Sequence, residues 1–301
     1  MLFSALLLST SGARAQLSVE SFPDLAPSDA TTVPPSSGDD TENRDPTIAP
    51  FQIFDNLYYV GTRGVSMYVL VTDAGLVLID SLFGEFVDDG VENIRALGFD
   101  PADIAYVFAT HGHFDHSDGL AYYQQTFGAR IGMAVADWKR MEADLDNREI
   151  FPVTMTMPEL DMQLHDGDTL DVGDQTITFY VTPGHTEGVL SMEFTVRDGA
   201  NEHRAFVFGG AGLNFAGAWR TQAYIGSVRR IQALATQTPP IEVNISNHPP
   251  GGRIFERHDA LVRRTRQGRH PFVDRDGYLA YLDGLIEAAE KKLVAEYAAG
   301  N

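Results

Sequence analysis

The sequence predicts an α/β chain of the α+β kind, with two β-sheets packed face to face and helices outside them. Three observations lead there. Short β-rich runs separated by Asn, Gly and Asp turns fill the stretch after residue 48. Segments with helical spacing interrupt them. The same grammar then repeats in the second half, and sheets interleaved with helices stack most simply as layers.

The elements follow in order. Residues 1–15, MLFSALLLSTSGARA, form a short apolar stretch ending in small-x-small Ala-Arg-Ala, which reads as a signal peptide with Gln16 as the first mature residue and implies a periplasmic or secreted protein. The stretch is too short to span a bilayer. Residues 16–48 are rich in Pro, Ser and Asp and read as a linker or loosely docked arm. The folded domain is then 49–301. QIFDNLYYVG, SMYVLVTD and GLVLIDS read as an antiparallel meander. Val87, Val91, Ile94 and Leu97 mark a helix, IAYVFAT is a continuous apolar strand, LAYYQQTFGA a helix and ARIGMAV a strand. In the second half, DTLDVGDQTITFYVTPGH, VLSMEFTV, RAFVFGG and IEVNISNH are strands, and SVRRIQALATQ and Gly277 to Tyr297 are helices.

Composition narrows the function. A formal charge of −20 repels phosphate backbones, which excludes nucleic acid as a natural partner. With no cysteine, disulfides, thiolate nucleophiles and Cys-based metal sites are all ruled out, so any metal must be held by nitrogen and oxygen.

The histidines are concentrated. His111, His113 and His116, with Asp115, follow the strand IAYVFAT; His185 follows TITFYVTPG; His248 follows IEVNISN. Strand ends are where loops converge on a pocket. So many imidazoles in one tight loop exceed the needs of a single ion, and two adjacent metals would use them all. Zinc is the ion expected for imidazole and carboxylate ligands, with iron or manganese also compatible. Asp80, closing LVLID, is placed to receive the spare N–H of a ligand imidazole. Asp118 reads as a helix cap. His165, His203, His258 and His270 read as surface residues, and RHDALVRRTRQGRH as a solvated helix face.

THGHFDH resembles the H-x-H-x-D-H signature of the metallo-β-lactamase fold superfamily. The resemblance extends through YYVGT, LVLIDS, TPGHTEG, FVFGG, NHP and PFVDRDGYLAYLD, covering residues 50 to 298, and is greatest to subclass B3. It implies the αββα sandwich of two mixed sheets with helices on the outer faces. It also implies two zinc ions per chain: His111, His113 and His185 at the first, Asp115, His116 and His248 at the second. Asp115 would carry the catalytic role of orienting a hydroxide that zinc makes available at neutral pH. Glyoxalase II and the acyl-homoserine lactonases place a bridging Asp after the FxG strand; this chain has Gly210 and Ala211 there. It also lacks a hydroxyl from Gly209 to Leu213, where subclass B3 often supplies a Ser for the substrate carboxylate. Backbone donors, Asn214 or Arg220 are the substitutes.

The function implied is a secreted dinuclear zinc hydrolase, a subclass B3-like β-lactamase that opens a small cyclic amide. The alternative on the same metals is a lactonase or other ester hydrolase. An alternative of another class is a zinc-binding protein without catalysis, against which the full set of six ligand positions argues.

Overall fold

The computed structural model describes residues 46–146, 155–265 and 268–300. The expected signal peptide and the arm up to residue 45 lie outside the described residues. Strands β1 (Phe51–Phe54), β2 (Leu57–Tyr59), β3 (Tyr68–Thr72) and β4 (Gly75–Ile79) run antiparallel, each to the one before. QIFDNLYYVG is therefore a hairpin rather than one strand. Asn56 at its turn is buried, donates to the Thr195 carbonyl and accepts the Arg197 N–H, which ties the hairpin to the second sheet.

Strands β5 (Ile104–Phe108), β6 (Arg130–Ala134) and β7 (Met162–Leu164) extend the first sheet in parallel from β4, giving the order β1-β2-β3-β4-β5-β6-β7. Parallel neighbours need crossovers. These carry the helices α1 (Phe86–Ala96), α2 (Phe114–Ser117), α3 (Leu120–Phe127) and α4 (Val135–Asp146). In the second sheet β8 (Thr169–Val172), β9 (Gln175–Val181), β10 (Leu190–Asp198) and β11 (Asn201–Phe208) are antiparallel. Helix α5 (Ala218–Ala235) then returns the chain to β12 (Ile241–Ser246), parallel to β11. Helices α6 (Pro249–Gly252), α7 (Ile254–Val262) and α8 (Arg275–Ala299) complete the chain.

Alternation along the strands sorts side chains into layers. On β4, Val77 and Ile79 face the space between the sheets, while Leu76 and Leu78 join Val87, Val91 and Ile94 of α1. On β11, Ala205 and Val207 face inward, while Phe206 and Phe208 meet Tyr224 and Val228 of α5 and Tyr278 and Leu282 of α8. Both faces of the central strands are buried, which is why they read as unbroken apolar runs. The result is the helix–sheet–sheet–helix order anticipated.

Two of the longer helices depart from the sequence reading. Helix α5 begins at Ala218, nine positions before SVRRIQ, because Glu296 of α8 accepts the Gly217 N–H and the Thr221 hydroxyl and so fixes its first turn. Helix α4 was not anticipated; it carries Asp137 in its first turn. The arginine-rich stretch is also less solvated than expected. Arg257 is buried and donates to the Phe272 carbonyl and to Asp274, and Arg264 grips both oxygens of Asp198.

His270 corrects the reading of it as a surface residue. It is 4% exposed and stacked on Phe54 at 4.0 Å. Its Nε2–H donates to the Ile53 carbonyl and its Nδ1 accepts the Phe272 N–H, so the neutral ring is satisfied and a second proton would meet a donor. Burial accordingly lowers its pKa to about 4. The unfolded chain, near the ordinary value of about 6.5, takes up that proton first, so stability conferred by His270 is present above about pH 6.5 and is lost as pH falls through about 4. Urea midpoints of metal-stripped protein should fall over this window, and less steeply for His270→Gln; identical slopes would refute the assignment.

Candidate metal centre

Strands β4 and β5 run parallel, β9 and β11 share a direction through their pairing with β10, and β12 runs parallel to β11, so their C-terminal ends gather at one edge of the sandwich. The sheets are joined there. The Leu190 N–H donates to the Thr110 carbonyl at 2.7 Å, and the Ser66 N–H donates to the Asn247 carbonyl at 2.9 Å. All six residues expected as ligands meet at this edge.

His111 Nε2 lies 3.0 Å from His113 Nδ1, and His185 Nε2 lies 3.0 Å from the same atom. The other nitrogens are committed. His185 donates from Nδ1 to the Gly212 carbonyl at 3.0 Å. The Thr110 hydroxyl gives its proton to Asp80, so His111 donates from Nδ1 to the hydroxyl oxygen. The inward nitrogens of His111 and His185 are thus lone pairs directed at a common point. Three such donors at this spacing repel one another unless a cation lies between them, so the set fits a metal of the imidazole-loving kind.

The second group adjoins the first. His116 Nε2 is 3.3 Å from Asp115 Oδ2 and 3.2 Å from His248 Nε2. His248 Nε2 is 3.7 Å from the same Asp115 oxygen. His116 donates from Nδ1 to Asp80 at 2.8 Å, and His248 from Nδ1 to the Gly64 carbonyl at 2.8 Å. Ligand atoms of His111, Asp115 and His116 also lie within 4.8 Å of one another, so His111 stands where the two groups touch.

Electrostatics match this picture at the three-histidine group. Burial, reinforced by neighbouring imidazoles, keeps His111 and His113 far below the usual histidine range and brings His185 to about 4, so all three are neutral donors. Burial and then His116 lower His248. Burial opposes a charge on Asp115, yet His116 and His248 hold its carboxyl far below the ordinary range. Burial likewise opposes a charge on His116, but Asp115 and Asp80 on either side raise it to about 10.

Asp80 is placed as anticipated. Its Oδ1 accepts the Thr110 N–H at 2.7 Å, and its Oδ2 serves both the Thr110 hydroxyl and His116. It adopts φ +66°, a left-handed conformation that Asp tolerates and that turns the carboxylate back toward the site. Asp118 is not the cap of α3; its carboxylate accepts the Gly84 N–H and holds the 81–85 loop. Arg220 is not a free substrate clamp. It donates from Nε to the Gly184 carbonyl at 3.1 Å and from Nη2 to that of His185. Trp138 and Tyr224 are buried packing residues, while Trp219 is 40% exposed.

The FGGAG turn explains the missing bridging carboxylate. A Cβ on Gly210 would lie 2.6 Å from Val189 and 2.9 Å from the His185 Cβ, so position 210 approaches the ligand loop too closely to carry a side chain.

Asp137 escaped the sequence reading, since a lone acidic residue in ADWK carries no spacing signal. It is fully buried and accepts the N–H groups of Gly112 and Gly188 and the Thr186 hydroxyl.

Comparison with known proteins agrees with the geometry. The model of the metallo-β-lactamase superfamily matches residues 60–199. A hydroxyacylglutathione hydrolase of Acidiphilium cryptum is 30% identical over 187 residues, 60% of this chain and 69% of that protein. An N-acyl homoserine lactonase of Bacillus thuringiensis is 28% identical over 148 residues, 42% of this chain and 56% of that one. The chain spans about half the length of most curated relatives it matches, 46% in one case. Among solved structures, a subclass B3 metallo-β-lactamase of Bradyrhizobium japonicum superposes with a TM-score of 0.75 at 28% identity, covering 84% of this chain and 97% of that one.

The triple load on Asp80 has a measurable consequence. Asp80→Ala leaves three buried donors without an acceptor and should lower stability by about 1–3 kcal/mol or more, whereas Asp80→Asn, which tolerates the backbone and keeps an acceptor, should cost less. Equal urea midpoints for both variants and the unsubstituted chain would show that these bonds do not hold the edge.

Proposed function

The chain belongs to the metallo-β-lactamase superfamily, and on that premise we propose that it is a zinc-dependent hydrolase with two ions per chain whose substrates are cyclic amides of the β-lactam class. The observation that carries the reading is the composition of the donor set: three histidines, then Asp115, His116 and His248, with no bridging carboxylate and, at Gly210, no room for one. This is the subclass B3 arrangement, and it departs from the pattern with an Asp after the FxG strand.

His111, His113 and His185 would hold the first zinc and Asp115, His116 and His248 the second. Zinc there supplies Lewis acidity toward a carbonyl and a water acidified enough to attack at neutral pH. The chain does the rest. Asp115, kept ionised and 20% exposed, faces the site as an acceptor that orients the attacking water. Asp80, Gly212 and Gly64 fix the ring orientations of His116, His185 and His248. Phe83 and Phe114, edge to face at 5.2 Å, and Phe215, 6.5 Å from His185, flank the ligand loops with apolar surface.

Recognition of a substrate carboxylate is the weaker part of the design. Arg220 spends two of its donors on the loop carrying His185, which leaves Asn214 and backbone N–H groups for the anion. Such a site loses ground-state binding more than chemistry. The sequence relatives favour a second reading, hydrolysis of a lactone or thioester on the same groups. The apolar N-terminus with its small-x-small site supports a periplasmic or secreted location. Among the described residues no helix is long and apolar enough to cross a membrane.

Two outcomes are expected. Zinc titration of chelator-stripped protein should reach two equivalents, and His248→Ala should lose the weaker one while keeping the tighter; a single equivalent in the unsubstituted chain would overturn the dinuclear reading. Steady-state kinetics on a penicillin, a cephalosporin, a carbapenem, a homoserine lactone and a hydroxyacylglutathione should show β-lactam hydrolysis with high KM, and Asp115→Asn should lower kcat by about 100-fold or more. Efficient lactone or thioester turnover without β-lactam opening would replace the substrate assignment and leave the hydrolase standing.

A further inference from the structure

Asp137 stands in the first turn of α4, fully buried, and belongs to neither donor set. Its Oδ2 accepts the Gly112 N–H at 2.8 Å and the Thr186 hydroxyl at 2.7 Å; its Oδ1 accepts the Gly188 N–H at 2.8 Å. Gly112 lies between His111 and His113, and Thr186 directly follows His185. One loop leaves β5 of the first sheet, the other β9 of the second. A single carboxylate therefore joins the two loops that together supply the three-histidine cluster.

We infer that Asp137 is a positioning residue for that cluster, setting the distance between His185 and the His111–His113 pair; the inference rests on reading these three imidazoles as metal ligands. The chemistry requires a carboxylate. Two oxygens serve three donors from two loops, and an amide would turn its NH2 toward one of those N–H groups and lose that bond. The approach is as close as backbone allows: a Cβ on Gly188 would lie 2.6 Å from the Asp137 nitrogen. Arg220 holds the Gly184 and His185 carbonyls, so the segment 184–188 is gripped by an acceptor on α4 and a donor on α5. Neither grip touches an imidazole directly. The loops are fixed by their backbone, and the rings are aimed separately by Thr110 and Gly212.

The test uses the full chain with Asp137→Asn and Thr186→Val, each stripped with chelator. Cobalt(II) is titrated as a spectroscopic probe, zinc affinity is measured against a chromogenic chelator, and urea unfolding of the stripped proteins is run in parallel. Asp137→Asn should weaken the tighter site about 10- to 100-fold, the usual scale for groups that orient ligands, and alter the visible cobalt spectrum. Thr186→Val, which removes one of the three bonds, should move both readouts in the same direction by less. Reduced stability of the stripped protein with unchanged affinity and spectrum would mark Asp137 as merely structural and overturn the inference. Should Asp137→Asn fail to fold, Thr186→Val decides by the same criterion. An unsubstituted chain that binds no metal would overturn the metal reading, and this inference with it, whereas normal binding in both variants would sink the inference alone.

Discussion

An imidazole can offer a lone pair in a chosen direction only when its other nitrogen has somewhere to leave its proton. Four of the five histidines at the edge of this sandwich meet that condition through Nδ1: His111 on the Thr110 hydroxyl, His116 on Asp80, His185 on the Gly212 carbonyl and His248 on the Gly64 carbonyl. The fold exists in large part to place those acceptors. Two are backbone carbonyls in loops, one is a carboxylate at the end of β4, and the fourth is a hydroxyl whose own proton is taken by that same carboxylate. His113 is the exception, turning Nδ1 inward.

Asp80 is where these demands meet the geometry of the sheet. A strand that simply continued would carry its carboxylate away along the strand axis. The left-handed backbone at Asp80, followed by a second at Leu82, reverses the chain at once and leaves the carboxylate over the end of β5. Such conformations cost free energy in non-glycine residues and persist where surroundings over-determine them; here Thr110 and His116 do so. The opposite solution is used across the cleft, where Gly210 and its neighbours give up side chains so that backbone can approach His185.

The layers were legible because short apolar runs bounded by turn residues read as strands: Leu76 to Ile79 form an unbroken apolar run, as a strand buried on both faces does. The cluster of imidazoles was legible because a tight loop of them has few uses other than holding a metal. What escaped was everything held by a partner distant in sequence. Asp137 is tied to residues 25 and 51 positions away, and nothing in ADWK announces a buried carboxylate. The early start of α5 depends on Glu296, 75 positions beyond Thr221. His270 was misplaced for the same reason, since Phe54 and Ile53, which bury it, come from the first hairpin. Arg220 looked free because the carbonyls that occupy it carry no signature in a sequence.

The separation of His116 from His248 by 132 positions has a kinetic meaning. Long-range contacts form late, because the closure entropy of the intervening chain must be met before they are rewarded. His248 follows β12, the last strand to join its sheet in chain order, and that strand must dock beside β11 before the second donor group is whole. An ion at the second group would therefore find its site whole only in the finished sandwich, and its binding energy would add to the stability of that state.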